Sequence, residues 1–198
     1  YPGQKLHREQ EEAISHSVGV PGSLTSVVLP TGKGKTRIAQ ALAISNVNGH
    51  GYNEEKEGPV LILYPTISLM DDQKNEWIFE LNEDLEKAGL RKLNVKVWHS
   101  GEDEEEVDAI GSELISGEID VLLCSPESLT KNTGKVGLLE IAMRLNGNCK
   151  GLPFSAIVID EVHILYDWGD SIRDAYLYID KHEKLLRKIN PELRTIFL

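Results

Sequence analysis

The sequence has few cysteines and no long apolar run. Only Cys124 and Cys149 occur among 198 residues, without a C-x-x-C pair, and the six histidines show no metal-ligand spacing. This usage fits a reducing, intracellular setting, in the cytoplasm, nucleoid or nucleus, and argues against a disulfide scaffold or a zinc site. No apolar run approaches the roughly 20 residues that a membrane-spanning helix needs. We therefore expect no membrane partner.

Positive charge is also scarce. The chain has 21 lysine and arginine residues against 32 acidic residues, which gives a formal net charge of −11. Taken alone, this deficit argues against nucleic-acid binding, because contacts with phosphates use lysine and arginine. Net charge describes only the average surface, so a basic track elsewhere on the molecule stays compatible with it.

The length of the chain suggests a single domain. A chain of 198 residues is one generous domain or two small ones, and its 40% apolar and 27% charged residues predict a packed soluble core. No internal repeat or convincing linker divides it, so we expect one domain over residues 1–198. The first residues, YPGQ, do not begin with Met or resemble a signal peptide, so we expect a piece of a longer protein. Nothing in the sequence indicates a homo-oligomer.

Short apolar runs alternate with stretches of helical periodicity. The runs are rich in Val, Ile and Leu with little alternation, which is typical of strands buried on both faces. The predicted strands are Ser26–Leu29, Val60–Tyr64, Asn94–Trp98, Asp120–Cys124, Ala156–Ile159 and Thr195–Leu198. The predicted helices are Lys35–Asn46, Ser68–Glu86, Val107–Ile115 and Ile172–Lys188. This alternation predicts an α/β fold with a mostly parallel sheet, helices on both faces, and a ligand beyond the carboxyl ends of the strands.

A glycine-rich loop, LPTGKGKT, joins the first predicted strand to the first predicted helix. Gly34, Lys35 and Thr36 fit the end of the phosphate-loop pattern G-x-x-x-x-G-K-[ST], whereas Leu29 occupies its first glycine position. Gly32 and Gly34 allow backbone N–H groups to turn toward phosphate, and the helix N-terminus adds positive potential. We expect Lys35 to reach the β- and γ-phosphates and Thr36 to ligate Mg²⁺. The alternative, a turn with a chance Lys-Thr pair, does not explain the strand–loop–helix order.

Two adjacent acids, Asp160 and Glu161, end the apolar run Phe154–Ile159. In a phosphate-loop NTPase, the acid at this strand end holds Mg²⁺, and we assign this role to Asp160. Glu161 is then placed to orient or deprotonate the attacking water. The alternative is an acidic pair that caps the next helix. The phosphate loop earlier in the chain favours the catalytic interpretation.

The acids open the segment DEVHILYDWGDSIRDAY, which together with the phosphate loop resembles the superfamily 2 helicases and, within them, the RecQ family. The residues that match the RecQ pattern at its spacing are Asp160, Glu161, His163, Trp168, Gly169, Arg173 and Tyr176. Ile172 stands where RecQ proteins usually carry Phe. Three further segments resemble RecQ motifs, namely LHREQEEAI, LYPTISLMDDQ and CSPESL. Together the five ordered motifs cover nearly the whole chain.

The resemblance implies a RecA-like fold and the first motor lobe of an ATP-dependent DNA helicase that moves 3′ to 5′. It implies ATP and Mg²⁺ as cofactors, with Thr36 and Asp160 at the metal. The implied catalytic residues are Lys35, Asp160, Glu161 and His163, the last as a sensor of nucleotide state. The implied nucleotide-binding residues are Gln10, Thr31, Gly32, Lys33, Gly34, Lys35, Thr36 and Arg37. Gln10 would bond the adenine edge, although His7 replaces the usual Arg and Tyr1 is the one candidate for stacking on adenine.

The same resemblance implies single-stranded or forked DNA as a partner. The residues it places at DNA are Pro65, Thr66, Ser68, Ser125, Trp168 and Arg173. An aromatic that stacks on bases tolerates any sequence, which suits a motor. Hydroxyls, amides and helix N-termini contact the DNA backbone without net positive charge, so they are compatible with the acidic composition.

Several parts of RecQ proteins are missing from these 198 residues. They include the S/T-A-T motif and the second RecA-like lobe, which supplies an arginine to the transferring phosphate. We therefore expect this chain alone to bind ATP weakly and hydrolyse it poorly, with the second lobe of the same protein as its partner. Two other functions stay open: a translocase or remodeller without strand separation, and a nucleotide switch or scaffold in a larger assembly, such as a defence complex. A small-molecule kinase is disfavoured, because only the phosphate loop supports it.

Overall fold

The computed structural model describes residues 6–30, 32–48, 57–98, 104–125, 154–162 and 170–198, with the backbone alone for 104, 107, 170–178 and 182. Within these ranges, six strands form one sheet in which every neighbouring pair is parallel. The strands are β1 (Leu24–Ser26), β2 (Val60–Leu63), β3 (Val95–Trp98), β4 (Val121–Cys124), β5 (Ala156–Ile159) and β6 (Arg194–Phe197). Their order across the sheet is β1-β6-β5-β2-β4-β3.

Helices precede and connect the strands. They are α1 (Arg8–Gly19), α2 (Thr36–Asn48), α3 (Ile67–Asn75), α4 (Leu81–Lys87), α5 (Glu104–Ser116) and α6 (Asp170–Ile189). A π-helical turn, Glu76–Glu80, joins α3 to α4, so the two form one interrupted helix. Among the described residues, no helix is both long enough and apolar enough to cross a bilayer.

Two apolar clusters cover the two faces of the sheet. On one face, Ile62 and Val158 pack with Leu42 of α2 and with Trp77 of the π turn. On the other face, the alternate residues of the same strands pack with α5 and α6; they include Leu61, Leu63, Ile157 and Ile159, with Leu114 and Leu186 from the helices. The strands read as continuous apolar runs because both of their faces are buried.

The predicted fold class is confirmed, and the sheet is parallel throughout the described strands. Five predicted strands agree with the structure within a residue at either end. The first does not: the predicted strand Ser26–Leu29 begins two residues too late, because the strand is Leu24–Ser26. The backbone N–H of Val27 still donates to Phe197 (2.8 Å), and the chain then leaves the sheet with Val28 93% exposed. The predicted boundaries were wrong because the apolar residues Val27, Val28 and Leu29 follow the strand without belonging to it.

Helix α1 was not predicted. It is highly charged, and of its residues only Gln10 and Ser17 are buried, so the apolar pattern that indicates a helix is weak. The four helices that were predicted are all present, and their ends differ from the predicted ends by up to three residues. Trp77 and Trp98 are both buried.

Candidate nucleotide-binding site

The described part of the phosphate loop and the two acids, Asp160 and Glu161, lie beyond the carboxyl ends of strands. The glycine-rich loop follows β1, Asp160 follows β5, and β6 runs between these two strands. The segment that begins with Tyr64 follows β2, the other neighbour of β5. Crevices at this edge of parallel sheets are where such folds bind ligands. The sheet order therefore brings the two predicted nucleotide motifs to one edge.

The loop itself has the backbone of a phosphate cradle. Gly32 and Gly34 have φ of 75° and 68°, which only glycine adopts without strain. A Cβ at Gly32 would meet nothing within 4 Å, so the backbone there faces open space. The N–H of Arg37 donates to the carbonyl of Gly34 (3.2 Å), which starts α2 directly after the loop. The helix N-terminus thus follows the loop directly and can offer its first N–H groups to an anion at the open space beside Gly32.

Gln10 of α1 holds the glycine-rich loop by hydrogen bonds to its backbone. Its side chain is 3% exposed, and its amide nitrogen donates to the carbonyls of Lys33 (3.0 Å) and Gly34 (2.9 Å). Its amide oxygen accepts the N–H of His7 at the start of α1 (2.8 Å). A Cβ at Gly34 would lie 2.8 Å from this amide nitrogen, so the contact requires glycine there. Sequence reasoning assigned Gln10 to adenine, which stays a prediction, and it did not foresee the contact with the phosphate loop.

Lys35 and Glu161 meet across the crevice. The ammonium nitrogen of Lys35 lies 3.5 Å from a carboxylate oxygen of Glu161, and their side chains are 13% and 22% exposed. Glu161 has φ of 51°, the one non-glycine residue with positive φ among the described residues. Strained backbone of this kind costs roughly 1–3 kcal/mol and concentrates at functional sites. Its N–H donates to the carboxylate of Asp160 (3.0 Å), which orients the two acids with respect to each other.

The donor set suits a magnesium ion that is bound together with a nucleotide. Asp160 is 7% exposed and contributes carboxylate oxygens, and Thr36, at the first position of α2, contributes a hydroxyl. Hard oxygen ligands are those that Mg²⁺ prefers, and it takes only one or two of them from the protein when phosphates supply the others. No group of three or more His, Cys, Asp or Glu that could hold a metal ion occurs in the part of the chain that the structure describes.

The predicted DNA-binding residues fall into different environments. Ser68 is exposed and Thr66 is partly buried, whereas Pro65 and Ser125 are buried. The Thr66 hydroxyl accepts the N–H of Leu69 (3.2 Å) and caps α3. Thr31, His163 and Trp168 lie outside the described residues, as does the side chain of Arg173. Their roles stay predictions.

A polar group beside the site was not predicted. The indole N–H of Trp77 donates to the Tyr64 hydroxyl (3.0 Å), and Gln40 of α2 donates to the carboxylate of Glu76 (2.9 Å). Burial raises the pKa of Tyr64 well above its ordinary value; the hydrogen bond from Trp77 opposes this rise, and the negative charges of Asp160 and Glu76 add to it. The phenol is therefore neutral and lies within the field of both carboxylates. None of these side chains belongs to a nucleotide-binding motif, so a motif search could not have found them.

Comparison with known proteins agrees with this geometry. The family model described as DEAD/DEAH box helicase matches residues 7–198. The chain belongs to the DEAD/DEAH box helicase family. Among curated members, it is 31% identical over 173 residues to mouse ATP-dependent DNA helicase Q4 and 27% identical over 186 residues to Bacillus subtilis ATP-dependent DNA helicase RecQ. The resemblance to RecQ-like helicases is thus confirmed.

The chain spans only a small part of the length of the helicases that it matches. The matches include 87% and 91% of this chain but only 12% of the mouse and 26% of the B. subtilis protein. Among solved helicase structures, Mycobacterium smegmatis Lhr bound to ssDNA and AMP-PNP covers 98% of this chain and 23% of its own, with a TM-score of 0.65 and 21% identity. DUF1998 helicase MrfA bound to DNA covers 99% and 24%, with a TM-score of 0.67 and 17% identity. These structural matches show the shared fold.

Proposed function

We propose that this chain is the ATP-binding motor lobe of an ATP-dependent DNA helicase of the RecQ-like type. In this proposal, the lobe couples ATP hydrolysis to movement along single-stranded DNA and to separation of the duplex. The observation that carries the proposal is the approach of Lys35 to Glu161 at the edge where the phosphate loop and the acids of β5 meet. Family membership supports the same chemistry.

The nucleotide is bound by the loop and by its lysine. Gly32 and Gly34 direct N–H groups to the phosphates, and Lys35 exchanges Glu161 for the β- and γ-phosphate oxygens. Thr36 and Asp160 hold the cation, which when bound neutralises charge on the phosphates. Lys33 and Arg37 flank the phosphates, and Thr31 completes the loop. Gln10 reaches the adenine edge only by giving up its bonds to the loop, because the carbonyls of Lys33 and Gly34 use both of its N–H donors.

Glu161 acts on the attacking water once Lys35 has turned to the phosphates. Its carboxylate accepts a proton from the water or orients it in line with the leaving phosphate, while Asp160 stays at the cation. His163 follows two residues later in the chain and senses whether the γ-phosphate is present. The strained backbone at Glu161 supports this assignment, because strained residues concentrate at functional sites.

Contacts with DNA are proposed at the same edge. Thr66 and Ser68, which are accessible, contact the DNA backbone with hydroxyls and with the N-terminus of α3. Pro65 and Ser125 shape the two strand ends, and Trp168, together with Arg173 of α6, couples a stacked base to hydrolysis. The relatives named DNA helicases and the neighbours bound to DNA support this partner.

The substitution Glu161→Gln tests the proposed catalytic role. In the full-length protein, we expect ATP to bind as before and the DNA-stimulated hydrolysis rate to fall by about 10²- to 10⁴-fold, because the base is lost. Glu118→Gln, an exposed acid before β4 at the opposite edge of the sheet, is the matched control. Equal hydrolysis rates in the wild type and in Glu161→Gln would remove Glu161 from the mechanism.

Two alternative functions use the same lobe. One is a DNA translocase or remodeller, and the other is a nucleotide switch within a larger assembly. A forked duplex with the full-length protein and ATP distinguishes the first, because a translocase hydrolyses ATP without releasing a strand. A switch would bind ATP with negligible DNA-stimulated turnover. The proposal also expects the isolated chain to turn over ATP poorly, because the second lobe supplies the arginine that crosses to the phosphate.

A further inference from the structure

Tyr64 stands beside the metal-binding acid. The last residue of β2, Leu63, is in register with Ile159, the last residue of β5, and the Asp160 N–H donates to the Leu63 carbonyl (3.0 Å). Tyr64 and Asp160 are therefore neighbours at the next step of two adjacent strands. Val158 and Ile62 face the α2 side of the sheet, so by alternation Asp160 and Tyr64 face it too.

The Tyr64 hydroxyl is held by a residue from the next helix. Tyr64 and Trp77 are 1% and 0% exposed, and the indole N–H donates to the phenol oxygen at 3.0 Å. A tyrosine in a fully apolar environment brings no advantage over phenylalanine, because its hydroxyl must be desolvated. Here the hydroxyl gives a buried indole its acceptor at a point next to the acid.

The π turn places the partner residues. π turns within helices are rare and frequently occur at functional sites. This one, Glu76–Glu80, directs two consecutive side chains to different parts of the site: Trp77 to Tyr64, and Glu76 to the amide of Gln40 on α2. Gln40 is 0% exposed and lies four residues after Thr36 on the helix that begins at the phosphate loop. The turn thus connects the helix of the loop to the neighbour of Asp160.

We infer that Tyr64 is a positioning residue for the magnesium-binding carboxylate: fixed by Trp77, its ring forms the wall against which Asp160 is held. The inference rests on the proposed function, because that function gives Asp160 its task at the cation. It concerns the orientation of Asp160, so it predicts an effect on the affinity for Mg²⁺. It predicts no effect on the contacts between nucleotide and loop.

The test measures Mg²⁺ affinity apart from nucleotide affinity. A fluorescent, non-hydrolysable ATP analogue is bound to the chain in excess EDTA and then across a Mg²⁺ titration. For Tyr64→Phe and for Trp77→Phe, we expect the Mg²⁺ midpoint to rise about tenfold, because the ring at position 64 loses the hydrogen bond that fixes it against Asp160, and disturbing a group that orients a metal ligand usually costs this much. The dissociation constant in EDTA should stay that of the wild type. The double variant should be no worse than either single variant, because one bond is lost in all three.

Trp98→Phe is the matched control. Trp98 is also a buried tryptophan, but it belongs to the cluster on the other face of the sheet, so its loss should leave the Mg²⁺ midpoint unchanged. Thermal unfolding of each variant checks that it is folded, and Trp77→Phe carries the test if Tyr64→Phe does not fold. Equal weakening with and without Mg²⁺ would assign Tyr64 a purely structural role and overturn the inference.

Nucleotide binding by the wild-type protein distinguishes a failure of the proposed function from a failure of the inference about Tyr64. If Mg²⁺ does not tighten nucleotide binding to the wild type, the proposed function fails and the inference with it. If Mg²⁺ tightens binding to the wild type and to Tyr64→Phe with the same midpoint, the inference alone is overturned.

Discussion

At the amino-terminal edge of the sheet, Arg194 and Glu57 form an ion pair among buried groups, whereas at the carboxyl-terminal edge Lys35 faces Glu161 in a more open one. Both guanidinium nitrogens Nη1 and Nη2 of Arg194 donate to Glu57, and Nη2 also donates to the carbonyl of Val18 (3.3 Å). The ammonium of Lys35 lies 3.5 Å from the carboxylate of Glu161, which is on strained backbone. We propose that Lys35 exchanges Glu161 for a phosphate when a nucleotide binds, whereas the pair of Arg194 and Glu57 stays intact.

The surroundings of the two pairs differ in the same sense. Next to Arg194, the amide of Asn46 donates to the Ser155 hydroxyl (2.6 Å), and both side chains are buried. Near Lys35, the backbone at Gly32 faces open space, whereas Gly34 is packed against Gln10. Polar groups at the amino-terminal edge thus stabilise the fold, and those at the carboxyl-terminal edge are arranged for a ligand. Substitutions at the two edges should therefore affect different properties.

The largest effect on stability is expected at the amino-terminal edge. Arg194→Leu leaves Glu57 buried without its partner, which should lower the free energy of unfolding by about 3–5 kcal/mol. Urea denaturation measures this loss. The double variant Arg194→Leu/Glu57→Leu is the control and should recover part of the loss, because it leaves no charge behind. A double variant less stable than the single variant would contradict this account of the edge.

A smaller effect on stability, with an effect on binding, is expected in the loop. In Gly34→Ala, the alanine must adopt a left-handed φ, which should lower the free energy of unfolding by about 1–2 kcal/mol. Its Cβ would also displace the side chain of Gln10. Nucleotide affinity should fall about tenfold, equivalent to about 1.4 kcal/mol. Gly89→Ala is matched, because Gly89 has φ of 72° and nothing within 4 Å of its Cβ position. It should lose similar stability and keep nucleotide affinity; equal binding losses in both variants would show that the loop is not specifically affected.

The smallest effect is expected at the cap of α3. Thr66→Ala removes the acceptor for the Leu69 N–H and should cost about 1 kcal/mol of unfolding free energy in urea denaturation. Thr66→Asn keeps a capping oxygen and should restore stability. DNA binding distinguishes the two roles of Thr66: if the hydroxyl contacts DNA, Thr66→Asn should still bind DNA more weakly than the wild type. Restored stability with wild-type DNA binding would leave Thr66 as a cap alone.

The sheet and the nucleotide motifs could be predicted because each has a physical requirement that leaves a recognisable residue pattern. Strands buried on both faces are continuous apolar runs, and phosphate chemistry requires glycines and a lysine in a fixed order, as in Gly32 to Thr36. Helix α1 escaped prediction because a charged helix with few buried residues leaves no apolar pattern. The boundary of β1 escaped because an apolar run, residues 27–29, continues past the end of the strand.

The contacts that orient the site were beyond sequence reasoning. Gln10 reaches the loop from a helix 23 residues earlier, and Trp77 reaches Tyr64 through a π turn that no residue pattern indicates. Such contacts depend on which elements pack together, which only the folded chain decides. Gln10 is the clearest case, because its assignment to adenine stays a prediction and its contact with Lys33 and Gly34 was not foreseen.

The most direct test of the central claim is a crystal structure of the chain with Mg²⁺ and a non-hydrolysable ATP analogue. The account predicts that Lys35 leaves Glu161 for the β- and γ-phosphates, and that one cation, with ligands at about 2.0–2.1 Å, binds the Thr36 hydroxyl and lies at Asp160 directly or through water. A triphosphate bound elsewhere, with the pair of Lys35 and Glu161 intact, would contradict it.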